Sequence, residues 1–198
     1  MTVRTACSAA GLAVHLACQA IRGGECDSAI VAGANLMLSP GFTKLMAEQS
    51  VLSPDASCKT FDASANGYAR AEAVNCLYIK RLDCAIRDGN PIRAIIRGSA
   101  TNSDGRTLGL TTPSAQAQQQ LIRDAYRHAG ISENEMWQTA MVECHGTGTA
   151  VGDTIEACTV GAVFGDKGML IGSVSVIHGS SMRITIYISA DQTQPGPF

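Results

Sequence analysis

The sequence predicts an α/β fold on three observations. Short apolar runs bounded by turn residues, at Ser28 to Ala34, Thr139 to Glu143 and Met169 to Val174, read as strands. Stretches with helical spacing of apolar residues lie between them, and glycines punctuate the joints. With 198 residues, 45% of them hydrophobic, and a formal charge of −2, the chain can bury a sizeable core.

The first helix rests on Ala10, Val14, Ala17, Cys18 and Ile21, which fall on one stripe, and on Gly23 and Gly24, which end it. The run Ser28 to Ala34, bounded by Asp27 and Asn35, suits a buried strand covered on both faces. Periodicity fades from Leu38 to Ala65, where Pro40-Gly41, Ser53-Pro54-Asp55 and Asp62-Ala63-Ser64 read as turns of a long surface loop. Asn75 to Leu82 and Ile92 to Arg97 are strand-like and are expected as neighbours in one sheet, with a short helix around Asp83 to Arg87 between them. Gln116 to Ala129 is an amphipathic helix with Leu121, Ile122, Ala125 and Ala129 on its apolar face, Gly130 at its end, and Gln118, Gln119 and Arg123 toward water. The strand Thr139 to Glu143 feeds the segment His145 to Thr149, and a helix from about Asp153 to Val163 precedes the last strand. Ser175 to Phe198, with a β-branched run at Ile184 to Ile188 and a Gln/Pro-rich end, reads as a divergent, poorly ordered tail. Two units are therefore expected, 1–174 and 175–198.

Composition narrows the function classes. Lys and Arg are scattered and aromatics make up 5%, so nothing resembles a basic stripe with stacking residues, and nucleic acid is not an expected partner. No apolar run approaches the roughly 20 residues that span a bilayer, and the N-terminus lacks the charged and apolar regions of a signal peptide, so a cytoplasmic location is expected. The eight cysteines contain no Cys-x-x-Cys pair and no framework spacing, so they are expected to be mostly reduced and buried, with no metal site.

Two segments concentrate chemistry. Thr5-Ala6-Cys7-Ser8 leads directly into the first helix, and a thiol at a helix N-terminus is drawn toward thiolate by unpaired N–H groups and the macrodipole. The plain alternative is a small buried cysteine that packs like alanine. The second segment is Glu143-Cys144-His145-Gly146-Thr147-Gly148-Thr149, where glycines let an arm of substrate approach and threonine hydroxyls can bond amides or carbonyls along it. A tight turn with a structural His145 would read the same way. A helix-start cysteine paired with a strand-end histidine suggests nucleophilic catalysis at sulfur, the histidine taking the thiol proton or stabilising an oxyanion. His15 lies about two turns beyond Cys7, too far along the axis to touch the sulfur, and is read as structural, as is His128 near a helix C-terminus.

These residues resemble the ketosynthase domains of type I polyketide synthases, of the β-ketoacyl synthase and thiolase-like group, in the style of fungal iterative enzymes. The resemblance runs from about Thr2 to Val174 and includes, in order, Thr5-Ala6-Cys7-Ser8, Gly33-Ala34-Asn35-Leu36, Leu52-Ser53-Pro54-Asp55, Cys58-Lys59-Thr60-Phe61-Asp62, Asn66-Gly67-Tyr68-Ala69-Arg70, Asn102-Ser103-Asp104-Gly105-Arg106, His145-Gly146-Thr147-Gly148-Thr149 and Gly152-Asp153. It implies a layered αβαβα thiolase-like fold, here incomplete and lacking most of the N-terminal half. It also implies that Cys7 carries the acyl chain as a thioester and that His145 assists decarboxylation of the extender. Thr147 and Thr149 would hold the phosphopantetheine arm of an acyl carrier protein. No directly bound cofactor is implied, and relatives of this kind are homodimers.

The sequence departs from that pattern at four places. It begins about six residues ahead of Cys7, where the family has a large preceding part. Arg4 stands where the family usually has aspartate, and Ala71 and Ala73 replace glycines. Ala150 and Thr154 stand at frequent proline sites. After Gly172-Ser173-Val174 the family places a lysine and a second catalytic histidine, whereas here Ser175-Val176-Ile177-His178-Gly179-Ser180 follows. His178 is the candidate for that histidine, about two residues early and with its glycine in reversed order. The functional expectations are therefore a condensing enzyme fragment or, alternatively, an inactive truncated remnant that offers only an interaction surface. A thiolase-like transferase without decarboxylation is a third, against which the His145 to Thr149 loop speaks.

Overall fold

A computed structural model of the chain describes residues 1–107, 109, 112–165 and 168–174, and the backbone of 186–189. In chain order the elements are α1 (Ala9–Arg22), β1 (Ser28–Asn35), α2 (Pro40–Glu48), β2 (Ala73–Lys80), α3 (Leu82–Arg87), β3 (Ile95–Ser99), α4 (Ala115–His128), a 3-10 helix (Glu133–Gln138), β4 (Met141–Glu143), α5 (Ala150–Phe164), β5 (Leu170–Gly172) and β6 (Ile186–Ser189). The alternation is the α/β order that the sequence predicts.

Among the described residues three strand pairs form. β1 runs antiparallel to β2 with Ile30 opposite Tyr78, β3 runs antiparallel to β6 with a register shift between Ile96 and Gly98, and β4 runs parallel to β5. The amphipathic helix α1 sits between the first two. Its buried Val14 and Cys18 meet Val31 of β1, and Ala13, Ala17, Ile79 of β2 and Ile96 of β3 pack around them. Polar ties join the same layers, as the Arg22 guanidinium donates to the Arg97 carbonyl at 2.6 Å. α4 then lies across β3, and its far side meets α5 and the 3-10 helix through Ile122, Tyr126, Met136, Val163 and Phe164. The Tyr126 and Phe164 rings meet edge to face, 5.9 Å between centroids.

Several expectations change. The run Ser28 to Ala34 forms a strand but not a doubly covered one: Val31 is buried, while Ile30 is 73% exposed, because the strand's antiparallel pairing with β2 places alternate residues on opposite faces. The predicted long loop contains α2. Ser39-Pro40-Gly41 reads as a turn, yet Ser39 Oγ accepts from the Gly41 N–H and Pro40 occupies the first turn, which is a helix start. β2 and β3 are not neighbours, since each pairs with a strand distant in sequence. Gln118, Gln119 and Arg123 are half-buried, because α4 is packed between β3 and α5. The helix after the glycine loop starts at Ala150, one residue after an extended Thr149, and not at Asp153. All eight cysteines are free, but Cys7, Cys76 and Cys158 are exposed. The expected tail falls outside the described residues except at Ile186–Ser189, which forms β6.

The β3–α4 contact is close enough to specify its residue. A Cβ at Gly98 would stand 2.5 Å from the Ala125 carbonyl oxygen and 2.7 Å from the Ala129 nitrogen. Gly98→Ala is therefore expected to destabilise the chain by about 2 kcal/mol, read as a lower urea midpoint with an unchanged slope.

Candidate active site

Cys7 belongs to a tight turn ahead of α1. Ser8 occupies the N-cap position without a side-chain cap bond, its hydroxyl donating instead to the Thr5 carbonyl at 2.8 Å, so the cysteine stands one residue outside the position predicted for it. The turn bends at Ala6, whose φ of 54° is a left-handed conformation costly for a residue with a Cβ. The bend leaves Cys7 exposed, so the sulfur is open to a reactant and does not pack as a buried alanine would.

The other predicted segment follows β4. The Cys144 N–H extends the β4–β5 ladder by donating to the Gly172 carbonyl at 2.7 Å, and the chain then leaves the sheet at His145. Ligand sites on α/β sheets favour this edge, beyond the carboxyl ends of parallel strands. Regular structure cannot satisfy the loop's amides here, since Gly146 and Gly148 have φ of 48° and 75°. Two carboxylates at the start of α5 supply acceptors instead. Glu156 takes the N–H groups of His145 at 2.7 Å and Gly146 at 2.9 Å, one on each oxygen. Asp153, 5% exposed, takes the Gly148 N–H at 3.1 Å and the Phe61 N–H at 2.8 Å. Hydrogen bonds to an ionised acceptor are stronger than neutral ones, which suits a loop of this shape.

The segment from Leu52 to Arg70 closes over the loop. Thr60 Oγ1 donates to the Gly146 carbonyl at 2.5 Å, Gly67 N–H donates to the Gly148 carbonyl at 2.9 Å, and from β5 Ser173 Oγ donates to the His145 carbonyl at 3.1 Å. A Cβ at Gly146 would stand 2.4 Å from Ser173 Cβ and 2.5 Å from Thr60 Cγ2, so only glycine fits. Thr147 Oγ1 and Thr149 Oγ1 lie 2.9 Å apart. One hydroxyl proton serves that pair and the other stays available to a substrate carbonyl.

Tyr68 follows Gly67 in the segment that covers the loop. Burial raises the Tyr68 hydroxyl pKa, Arg70 opposes the rise, and the nearby Cys7 adds to it. His15 and His128 lie apart from this site, both on Ser99. His178 lies outside the described residues. Asp153 stood in the sequence only as part of a motif, and Glu156, Thr60 and Ser173 had no predicted role. The available signal was two acids three residues apart behind a glycine loop, a spacing that puts both on one helix face. Among the described residues no group of ligands could hold a metal, and no helix is long and apolar enough to cross a membrane.

Cys144, one residue from His145, is a chemical contrast to Cys7. Burial chiefly, then Glu156, Glu143 and Asp153, push its thiol up to about 12. At pH 8 a thiol-alkylating reagent on the folded chain is expected to label Cys7 and leave Cys144 unmodified, which peptide mapping checks. Asp153→Ala, which strands two backbone donors, is expected to cost about 3 kcal/mol in a denaturant titration, and Asp153→Asn less.

The chain is similar to known proteins in both sequence and fold. The family description "Beta-ketoacyl synthase, N-terminal domain" matches residues 1–85 and "Beta-ketoacyl synthase, C-terminal domain" matches residues 93–181. A highly reducing polyketide synthase of a Fusarium species is 60% identical over 181 residues, 91% of this chain and 7% of that protein. One from Byssochlamys spectabilis is 57% identical over 91% of this chain and 8% of its own length. Among solved structures, the ketosynthase from module 6 of the bacillaene synthase of Bacillus subtilis 168 superposes with a TM-score of 0.84 at 43% identity, over 88% of this chain and 32% of that one. An oxazolomycin ketosynthase domain from Streptomyces albus JA3453 gives a TM-score of 0.85 at 34% identity, over 91% of this chain and 32% of that one. The chain thus spans about a third of these ketosynthase structures and under a tenth of the curated relatives. With thiolase-like ketosynthases matching its fold and both family domains matching its sequence, the chain belongs to the β-ketoacyl synthase family, as a partial ketosynthase of the polyketide synthase kind.

Proposed function

We propose that this chain carries the nucleophile and the decarboxylation histidine of a polyketide synthase ketosynthase, acting in the cytoplasm on acyl and malonyl thioesters borne by an acyl carrier protein. The observation that carries the reading is an exposed Cys7 ahead of α1 in the same chain as a His145 loop fixed at both ends by carboxylates. The Cys7 thiolate attacks an acyl thioester, the carrier thiol leaves, and the acyl chain remains on sulfur. A malonyl thioester then loses carbon dioxide. The electrons of the broken carbon–carboxylate bond pass to the enolate, whose oxygen the His145 side chain stabilises by hydrogen bonding. The enolate carbon attacks the Cys7 thioester carbonyl, forming the new carbon–carbon bond and releasing the thiolate.

Each supporting group has a physical role. Glu156 and Asp153 keep the His145 backbone in place through the charge changes, without rearrangement during the reaction. Thr147 and Thr149 present hydroxyls to the amides of a phosphopantetheine arm. His178 is kept as the proposed second histidine, and the working form is proposed as a homodimer. The reading belongs to this chain completed by the remaining two-thirds of a ketosynthase or to a chain that assembles the site alone.

Intact-mass analysis with peptide mapping, after exposure to an acyl-pantetheine thioester, tests the nucleophile. The expected result is one adduct on Cys7 that Cys7→Ala abolishes; labelling spread over several cysteines, or none, would instead identify a silent remnant. For the histidine, His145→Ala is expected to lower carbon dioxide release from a malonyl thioester about 100-fold while leaving Cys7 acylation measurable. Acyl transfer without any carbon dioxide release in the unsubstituted chain would point to thiolase-like chemistry.

A further inference from the structure

We propose that His15, Ser99 and His128 form an acid-sensitive latch that holds α1 against β3 and α4. The three residues come from three elements and converge on a site away from the catalytic loop. His15 Nδ1 lies 2.9 Å from Ser99 Oγ, and His128 Nδ1 lies 2.9 Å from the Ser99 carbonyl oxygen. Ser99 is 1% exposed, so its polar atoms depend on these partners.

The geometry assigns the protons. A carbonyl oxygen only accepts, so His128 Nδ1 carries hydrogen, and protonating the other nitrogen of that ring leaves the bond intact. The Ser99 hydroxyl is different. Among the described residues His15 Nδ1 is its one hydrogen-bond partner, so the buried hydroxyl hydrogen is satisfied when neutral His15 accepts it. Protonation of His15 turns Nδ1 into a donor, reverses the bond and strands that hydrogen.

Charge acts in the same direction. Around His15 stand His128 of α4 and Arg22 of α1, whose guanidinium is fixed on the Arg97 carbonyl of β3. Neither histidine is hydrogen-bonded to a carboxylate among the described residues, and Asp124 of α4 is taken by Arg127. Burial first, then His128 and Arg22, lower the His15 pKa from its ordinary 6.5. An imidazole lowered by folding contributes stability that is complete above the unfolded pKa and lost as the pH falls below it, until the folded pKa is passed. The latch therefore holds at neutral pH and weakens on acidification, loosening the helix that follows Cys7.

The test is urea unfolding of the full chain from pH 7.5 to 5, unsubstituted and as His15→Gln, whose amide can still accept from Ser99 but does not titrate. The unfolding constant of the unsubstituted chain is expected to rise at least about threefold more than that of His15→Gln between pH 7 and 5. Equal pH slopes would overturn the proposal. Should His15→Gln fail to fold, the imidazole resonances of the unsubstituted chain decide: titration of His15 below its unfolded value supports the latch, and titration at or above it refutes it.

Discussion

Two carboxylates in the first turns of α5 hold the histidine loop, and most of the site depends on them. A loop with two left-handed glycines cannot pair its amides within helix or sheet, yet it must present His145 in one place. Glu156 and Asp153 resolve this by receiving the N–H groups of His145, Gly146 and Gly148 directly. Asp153 also receives the Phe61 N–H, at a residue whose own φ is 58°. One side chain thereby fixes the histidine loop and the segment that covers it. The strain at Phe61 is offset by the hydrogen bond from its N–H to the buried Asp153 side chain.

α1 has a comparable place in the core. It packs on β1 and β2 through Val14, Cys18, Val31 and Ile79, with Ile96 of β3 beside them, while its Gln19 and Arg22 are exposed. Cys7 stands exposed one residue ahead of the N-cap of this helix. The left-handed Ala6 turns the chain sharply at this point.

The same region separates two cysteines by environment alone. Cys7 is exposed at the helix start, whereas Cys144 is buried against three carboxylates that oppose thiolate formation. Negative charge is useful to the loop as a backbone acceptor and harmful to any thiol nearby. Cys7, the proposed nucleophile, lies on a different element ahead of α1, which keeps the two requirements apart.

Local chemistry made much of this legible. The stripe Val14, Cys18, Ile21 determined α1, the glycine and threonine spacing after β4 marked the loop, and the ordered motifs carried the family resemblance. These are properties of neighbouring residues, where periodicity and side-chain type suffice. Which strands pair, which face of β1 meets water and which acids serve the loop depend on segments far apart in sequence. Glu156 binds His145 across 11 residues and Asp153 binds Phe61 across 92, and nothing in a linear pattern specifies such meetings. The sequence by itself determined α1, α4, α5 and the glycine loop, and it marked Cys7 and His145 as candidates. The tertiary structure alone decided the pairing of the strands and the hydrogen-bond partners of the site, because backbone donors in an irregular loop are satisfied by whatever the fold brings within 3 Å.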